Sequence, residues 1–299
     1  MSREFHKIAV IGRHDDARVA EPMAALVEHL TKNGVEVFAA EEMSLDIPVS
    51  RVGEASLADN AELIISVGGD GTMLRAGRLA SGKNVPLLGI NRGRLGFLAD
   101  VTPDAMLASI DHVLDGNYTS ESRLQLHATL TASDGTESVG IALNDIVLQR
   151  SETGRMVDFE TRVGEHYVNT HSGDGLIVAT PTGSTAYALS CGGPILEPQL
   201  DAIAIVPVCP HTLTDRPIVI PSDEAVEVHL LDRDDTQAAI TVDGRAIGHI
   251  RPGDRLRICA AKNRVTLIHP PGYDFYGILR SKLFWGRDSR KRDPQDKNR

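Results

Sequence analysis

The strongest constraint in this sequence is an apolar strand that runs directly into the segment Gly-Gly-Asp-Gly-Thr at residues 68–72 and then into a helix. Around it, over residues 1–120, short apolar runs alternate with segments of helical spacing. Strands separated by helices predict right-handed βαβ units and a parallel sheet, with ligands bound at the carboxyl ends of the strands. We therefore expect an N-terminal α/β domain with a Rossmann-like parallel sheet.

Beyond Gly116 the pattern changes to short strands separated by Asp, Gly and Pro turns, which is typical of an all-β, sandwich-like domain. In the first domain we expect strands at 7–11, 35–39, 62–67 and 85–90 and helices at 19–32, 72–80 and 102–114. In the second we expect a hairpin of 123–131 with 138–148, then strands at 157–163, 176–179, 203–206, 225–231, 238–242 and 255–260. The division predicted is 1–120 for the α/β domain, 121–274 for the β-rich domain and 287–299 for a charged, disordered tail.

Length, charge and cysteine content exclude several classes of function. A chain of 299 residues suggests two domains, at ~150 residues per domain. Its net charge of −10 repels phosphate backbones, which argues against a nucleic-acid binder. Three cysteines without a Cys-x-x-Cys pair fit a reducing compartment. Since no signal peptide and no apolar run near ~18 residues is found, we expect a cytoplasmic protein without a membrane partner.

The glycines at 68–72 allow positive φ angles and let the backbone approach a ligand. The amides at the start of the next helix can hold phosphate oxygens. Asp70 is unusual there, because a carboxylate repels phosphate unless it acts as a base or holds a metal. Capping of the helix by Asp70 in a tight turn is the structural alternative. Its place among three glycines at the edge of the sheet favours a function.

Two further clusters lie in the second domain. Asn144 and Asp145 interrupt an apolar strand; a bulge or strand end explains them as well as a ligand does. The hydroxyl-rich loop at 180–187 follows a strand and can bind ribose and base edges, or its Ser184 or Thr185 can simply cap a helix. Residues 77–84 resemble a P-loop, but they lie between a helix and a strand in the wrong order, so we interpret them as a helix end and a turn.

Together these segments resemble the signature sequences of NAD kinases, especially the bacterial enzymes. The resemblance runs from about residue 5 to 286 and rests on Gly-Gly-Asp-Gly-Thr, Ile-Asn-Arg-Gly-Arg-Leu-Gly-Phe-Leu at 90–98, Leu-Asn-Asp at 143–145 and the stretch from Asp174 to Tyr187. The segment at 207–217 and the end segment at 276–285 are similar too. Gly-Gly-Asp-Gly alone is shared with lipid kinases and 6-phosphofructokinases, whereas Thr-Pro-Thr-Gly-Ser-Thr-Ala-Tyr is specific.

The resemblance implies transfer of the γ-phosphate of ATP to the 2′-hydroxyl of the adenosine ribose of NAD, with Mg²⁺ or another divalent cation neutralising the phosphates. Asp70 would be the general base. The implied binding residues are Asp70, Gly71 and Arg75 near the phosphates, Phe97 against the nucleotide, Asn144 and Asp145 at adenine and ribose, Asp174 on the nicotinamide side, Thr185, Ala186, Tyr187 and Ser190 around adenosine, Cys209 across a subunit interface, and Arg155 and Arg245 at variable contact positions. No protein ligand for the metal is assigned.

The resemblance further implies a homodimer or homotetramer, and a C-terminal segment at about 275–286 that returns to the first domain. One position departs from the family: Asp145 stands where most relatives have Glu, and we expect the shorter carboxylate to keep the role. Two rival functions remain. A lipid kinase would need an apolar or basic membrane-facing helix, which the sequence lacks. A dinucleotide-sensing protein that retained only the pocket could dispense with Asp70, which is present.

Overall fold

A computed structural model describes residues 3–12, 17–44, 47–93, 96–151, 156–232 and 236–285. Up to residue 123 its elements are β1 (Lys7–Gly12), α1 (Ala17–Lys32), β2 (Glu36–Ala40), β3 (Ser50–Val52), α2 (Leu57–Asn60), β4 (Leu63–Val67), α3 (Asp70–Ala80), β5 (Leu87–Ile90), α4 (Met106–Leu114) and β6 (Thr119–Arg123). There follow β7 (Leu126–Thr131), β8 (Glu137–Ala142), β9 (Asp145–Arg150), β10 (Val157–Val163), β11 (His166–Gly173), β12 (Gly175–Ala179), α5 (Tyr187–Ser190), β13 (Ala202–Val208), β14 (Ile218–Pro221), β15 (Val226–Leu230), β16 (Ala238–Val242), β17 (Arg245–Ile250) and β18 (Arg255–Ala260). The last elements are β19 (Val265–His269) and α6 (Phe275–Leu283), and short 3₁₀ turns lie at Glu54–Ser56, Pro103–Ala105 and Gly183–Thr185.

The first domain is a seven-stranded sheet in the order β3-β2-β1-β4-β5-β19-β6. Neighbouring strands are parallel except β19 and β6. Its central strands are buried, so they are continuous apolar runs rather than alternating ones. One core lies between the sheet and α1 with α4, and a second core on the opposite face includes side chains of α2 and α3. This is the α/β domain that the sequence predicts.

The second domain consists of two six-stranded antiparallel sheets, in the orders β11-β10-β15-β18-β7-β8 and β14-β13-β12-β9-β16-β17. Alternate side chains of both sheets, among them Phe159, Leu176 and Ile240, form one shared core. The prediction of a β-sandwich beside an α/β domain is therefore confirmed. In the part of the chain that the structure describes, no helix combines the length and apolarity needed to cross a membrane.

Three details differ from the sequence prediction. The run at 138–148 is broken at Leu143 and Asn144, because β8 pairs with β7 in one sheet whereas β9 pairs with β12 and β16 in the other. Strands β3, β6, β11, β14, β17 and β19 and helices α2 and α6 are additional to those predicted. The chain re-enters the first sheet with β19, ahead of the segment at 275–286 for which the return is expected. The predicted tail at 287–299 lies outside the described residues.

Candidate active site at the domain junction

Asp70 is the first residue of α3, and its carboxylate holds the turn at residues 97–99. Oδ2 accepts a hydrogen bond from the Phe97 amide at 3.0 Å, and Oδ1 accepts bonds from the Leu98 and Ala99 amides at 3.0 and 3.2 Å. The N-cap of α3 is Gly69, with no side-chain capping bond. The helix-capping alternative is therefore not the arrangement observed. Since Oδ2 accepts one amide, it keeps a lone pair for a further proton.

The turn held by Asp70 is anchored on its other side by the returning strand β19. Asp100 follows the turn, and its Oδ2 lies 2.7 Å from Nδ1 of His269, which stacks on Tyr273. Burial opposes the charge of His269, but its interactions with Asp100 and Glu121 outweigh burial and raise the pKa of this imidazole. Strand β19 thus helps to fix the turn at residues 97–99 that Asp70 binds.

The glycines at 68–71 do not adopt the positive φ angles that the sequence suggests. Gly69 has φ −112°, and Gly68 and Gly71 are not among the residues with positive φ. A Cβ at Gly68 would lie 2.2 Å from Oγ1 of Thr72, so this glycine makes room for the helix. A Cβ at Gly71 would meet no atom within 4 Å. Gly71 therefore leaves space open at the start of the helix.

That space is a cavity of about 330 Å³. It is lined by Gly12, Gly69, Gly71, Thr72, Arg75 and Arg92. Arg75 is fixed by Glu54, with Nε 2.6 Å from Oε1 and Nη2 2.5 Å from Oε2, and this pairing raises the pKa of the guanidinium. The positive end of α3 favours an anion in this cavity, while Glu54 offsets the charge of Arg75.

The turn between β8 and β9 carries Asn144 and Asp145. It is a strand end, as one of the two sequence interpretations holds, but it leaves a polar atom unsatisfied. Oδ1 of Asn144 is buried and has no hydrogen-bond partner among the described residues. Asp145 is only 7% exposed, and burial together with the charge of Asp243 raises the pKa of its carboxyl to about 7. A ligand with N–H or O–H donors would supply the missing partners.

The hydroxyl-rich loop packs directly against this turn. The Thr180 hydroxyl donates to the carbonyl of Leu143 at 2.6 Å, and the Thr180 amide donates to the carbonyl of Asn144 at 2.9 Å. The Ser184 hydroxyl lies 2.6 Å from the carbonyl of Pro181, and α5 has no side-chain cap. Capping by Ser184 or Thr185 is thus not observed at α5. The loop instead supports the Asn144 turn.

The remaining predicted residues lie in two places: some in or beside α5, and others at the end of β12 that lies away from Asp145. Ala186 and Ser190 lie at either end of α5, and Tyr187 interacts with both Cys191 and Cys209. Asp174, between β11 and β12, pairs with Arg150, whose Nε is 2.9 Å from Oδ1. Cys209 is exposed, with φ +45°.

Arg245 opens β17 and lies near helix α3. Burial and then the charge of Arg245 lower the pKa of Arg78 on that helix. The ring of Phe97 is covered by Nζ of Lys282, 5.2 Å from the ring centroid. Arg155 lies outside the described residues. In the described ranges no group of three or more His, Cys, Asp or Glu side chains is placed to hold a metal ion.

Two residues that contact these elements, Asp243 and Lys282, were not predicted as functional. Asp243 and Gly244 form the hairpin turn between β16 and β17, with φ of +47° and +75°. The Asp-Gly pair was the available signal, but it indicates only a turn. Lys282 gave no signal because its partner Phe97 is distant in sequence.

Comparison with known proteins places these features in one family. The family models of the ATP-NAD kinase N-terminal and C-terminal domains match residues 8–118 and 143–270. The chain is 41% identical over 297 residues to an NAD kinase of Aromatoleum aromaticum, with 97% of this chain and 98% of that protein covered. It is 42% identical over 285 residues to an NAD kinase of Hahella chejuensis, with 94% and 96% covered.

Two solved structures have similar folds. Yeast NADH kinase complexed with NADH matches with a TM-score of 0.88 at 21% identity, over 95% of this chain and 88% of that one. An NAD kinase from Archaeoglobus fulgidus in complex with ATP matches with a TM-score of 0.71 at 26% identity, over 92% and 99%. Both likenesses extend across the two domains.

Proposed function

The chain belongs to the NAD kinase family, and on that premise we propose how its residues transfer the γ-phosphate of ATP to the 2′-hydroxyl of the adenosine ribose of NAD. A bond forms between the 2′-oxygen and the γ-phosphorus, and the bond from that phosphorus to the bridging oxygen of ADP breaks. The hydroxyl proton passes to the carboxylate of Asp70. The products are ADP and NADP.

The observation that carries this mechanism is the fixed carboxylate of Asp70 beside an anion cavity. Three backbone amides orient the carboxylate before substrate arrives, so little reorganisation is needed during proton transfer. The free lone pair on Oδ2 is the proton acceptor. A ribose hydroxyl is a weak acid, so an oriented base speeds its attack by ~10²–10⁴-fold.

The donor phosphates bind in the 330 Å³ cavity, where Gly71 offers room for an oxygen at the positive end of α3 and Arg75 and Arg92 line the wall. A divalent cation enters with ATP, since Mg²⁺ is commonly held by substrate phosphates and water rather than by a protein cage. The cation, when bound, offsets the phosphate charge that Asp70 would otherwise repel.

NAD binds between the turn at 143–145, the loop at 180–190 and the end of β11. Asn144 and Asp145 take the adenine and ribose, and the buried Oδ1 of Asn144 supports this because it needs a donor. Asp174 lies on the nicotinamide side. The other proposed contacts are Phe97, Thr185, Ala186, Tyr187, Ser190, Arg155 and Arg245.

We further propose a homodimer or homotetramer in the cytoplasm that binds neither nucleic acid nor membrane. Several large apolar side chains are exposed on the β-domain, among them Leu213 at 91%. Such side chains mark an interaction surface when they lie together. Cys209 would contact the neighbouring subunit. Sedimentation velocity of the purified protein measures the assembly, and a monomer at micromolar concentration would contradict it.

The direct test of the mechanism is Asp70→Asn. The expected result is a kcat at least ~10²-fold lower, with the dissociation constants for NAD and ATP within a few fold, because Asn cannot accept the proton. Calorimetry measures both ligands on the folded variant, and NADP formation from ATP, Mg²⁺ and NAD measures turnover. A kcat within a few fold of wild type excludes Asp70 as the base.

A collapse of metal–ATP affinity in the same variant would instead assign Asp70 to the metal. Wild-type protein that binds NAD but forms no NADP would favour a dinucleotide sensor.

A further inference from the structure

We propose that Asp243 is a positioning residue for NAD: it fixes the turn that carries Asn144 and Asp145 and couples that turn to helix α3. The inference rests on the proposed assignment of Asn144 and Asp145 to NAD. Asp243 itself touches neither substrate in this assignment. It acts through the backbone of the residues that do.

The side chain of Asp243 binds three consecutive amides of the turn. Oδ2 accepts from the Leu143 amide at 2.8 Å, and Oδ1 accepts from the Asn144 and Asp145 amides at 2.8 and 3.2 Å. The backbone amide of Asp243 returns a bond to the carbonyl of Asp145 at 3.0 Å. Charge-assisted bonds of this kind are stronger than those between neutral groups. The turn is therefore fixed from the side of the β16–β17 hairpin.

The opposite side of the same turn is closed by the loop after β12. Thr180 binds the carbonyls of Leu143 and Asn144, as described above. A Cβ at Gly183 would lie 2.1 Å from the carbonyl oxygen of Asn144, so the loop backbone touches the turn. The amides of the turn thus face Asp243, and the carbonyls of Leu143 and Asn144 face the loop. Loss of Asp243 would release one of these two contacts.

We call the contacts of Asp243 and Thr180 with the turn at 143–145 the clasp. The side chain of Leu143 connects this clasp to the first domain. It belongs to the core that contains Met73 and Ala76 of α3. A Cβ at Gly77 would lie 3.1 Å from Cδ2 of Leu143, so helix and side chain are in close contact. Asp70 begins that helix. The clasp therefore sets the position of the NAD-binding pair relative to the proposed base.

Charged groups around the pair give the clasp a second effect. Burial is the main cause of the raised pKa of Asp145, and the negative charge of Asp243 raises that pKa further. Burial also raises the pKa of Asp243, against the opposing effect of its three amide bonds and of Arg78 on α3. Burial and then the positive charge of Arg245, on the strand after Asp243, lower the pKa of Arg78. Removing the charge of Asp243 should therefore make Asp145 ionise at a lower pH.

The test is Asp243→Asn with full kinetics for both substrates. Asn can keep an oxygen toward Asn144 and Asp145, but its amide nitrogen then faces the Leu143 amide, donor against donor. We expect the KM for NAD to rise ~10-fold or more and the KM for ATP to stay within about threefold. Asp254→Asn is the matched control. Asp254 is also buried, and its carboxylate accepts hydrogen bonds of 2.8 Å from the amides of Ser133 and Arg251, which belong to a different turn.

A pH profile separates positioning from general damage. In wild type the KM for NAD should rise as pH falls below about 7, where Asp145 gains a proton. In Asp243→Asn that inflection should move to lower pH, whereas Asp254→Asn should leave it in place. Asp243→Glu, which keeps the charge on a longer side chain, should give an intermediate KM and an inflection near that of wild type. It also serves as the folded variant if Asp243→Asn is unstable.

Two outcomes overturn the proposal: a KM for NAD near wild type in Asp243→Asn, or equal rises in both KM values with no movement of the inflection. Asn144→Ala tests the underlying assignment separately. If Asn144→Ala leaves the KM for NAD unchanged, the assignment of the turn to NAD is wrong. If it raises that KM while Asp243→Asn does not, only the positioning role of Asp243 fails.

Discussion

The two domains use the same hydrogen-bonding device on opposite sides of the junction. In the α/β domain the carboxylate of Asp70 binds three consecutive amides at 97–99, and in the β-domain the carboxylate of Asp243 binds three at 143–145. The use of the carboxylate differs. Asp70 begins a helix at the edge of an anion cavity and is the proposed base, whereas Asp243 only fixes a turn that presents a second carboxylate, Asp145.

The difference shows that the hydrogen-bond pattern alone does not identify a catalytic carboxylate. The neighbours do. Gly71 leaves open space beside Asp70, so a ligand can approach. The carboxylate of Asp243 faces the three amides and the carboxyl of Asp145, which is itself only 7% exposed. Substitutions that disturb one turn should thus change kcat, and those that disturb the other should change the KM for NAD.

The largest effect is expected from Gly96→Ala, which disturbs the turn at 97–99 that Asp70 binds. A Cβ there would lie 2.1 Å from Oδ1 of Asp70, so the carboxylate or the turn must move. A displacement near 1 Å in an active site can cost ~10²-fold in rate, and we expect a loss of kcat of that order. Steady-state kinetics measure it, with Gly53→Ala as control because a Cβ at Gly53 meets no atom within 4 Å.

Gly183→Ala is the counterpart in the second turn, since its Cβ would lie 2.1 Å from the Asn144 carbonyl. It should raise the KM for NAD more than it lowers kcat. If both alanine variants gave the same kinetic change, the two turns would not have separate roles.

A smaller effect, dependent on pH, is expected from Asp145→Asn. The pKa of Asp145 is raised from 3.8 to about 7, so the stabilising protonated state is full below 3.8 and is lost as pH rises through 7. Above pH 7 the wild type carries a buried charge that Asn lacks. The variant should therefore melt ~5 °C higher than wild type at pH 8, with the difference shrinking as the pH falls below 7 and reaching zero only below about pH 4. A Tm difference independent of pH would contradict the shift.

The sequence identifies the carboxylate of Asp70 better than that of Asp243. Asp70 stands out because three glycines surround it at the end of a buried strand. The role of Asp243 depends on amides about 100 residues away in the sequence, which no local pattern reports. The same limit applies to β6, a polar edge strand without apolar alternation. The apolar run of β19 was a usable strand signal, but its place between β5 and β6 follows only from the tertiary fold.

The smallest effect is expected from Gly77→Ala. Gly77 lies in α3, the helix that begins at Asp70 and packs against Leu143. Alanine in a helix interior is favoured over glycine by ~1 kcal/mol. Its Cβ, 3.1 Å from Cδ2 of Leu143, must push that side chain by a few tenths of an ångström, and overpacking costs ~1–3 kcal/mol. Because the required shift is so small, we take the cost at the low end of that range; the two terms then nearly cancel, and Tm should change by no more than about 3 °C. The displaced Leu143 should raise the KM for NAD about two- to threefold, with kcat unchanged.

A second substitution decides whether that change passes through Leu143. Leu143→Val shortens the side chain that Gly77→Ala presses on, so the double variant should recover part of the lost NAD affinity. Thermal melts and the KM for NAD of both single variants and of the double variant complete the cycle. Strictly additive effects would mean that helix and turn are not coupled at this contact. The two turns would then be positioned independently, and the base and the NAD-binding pair would meet only through the substrate.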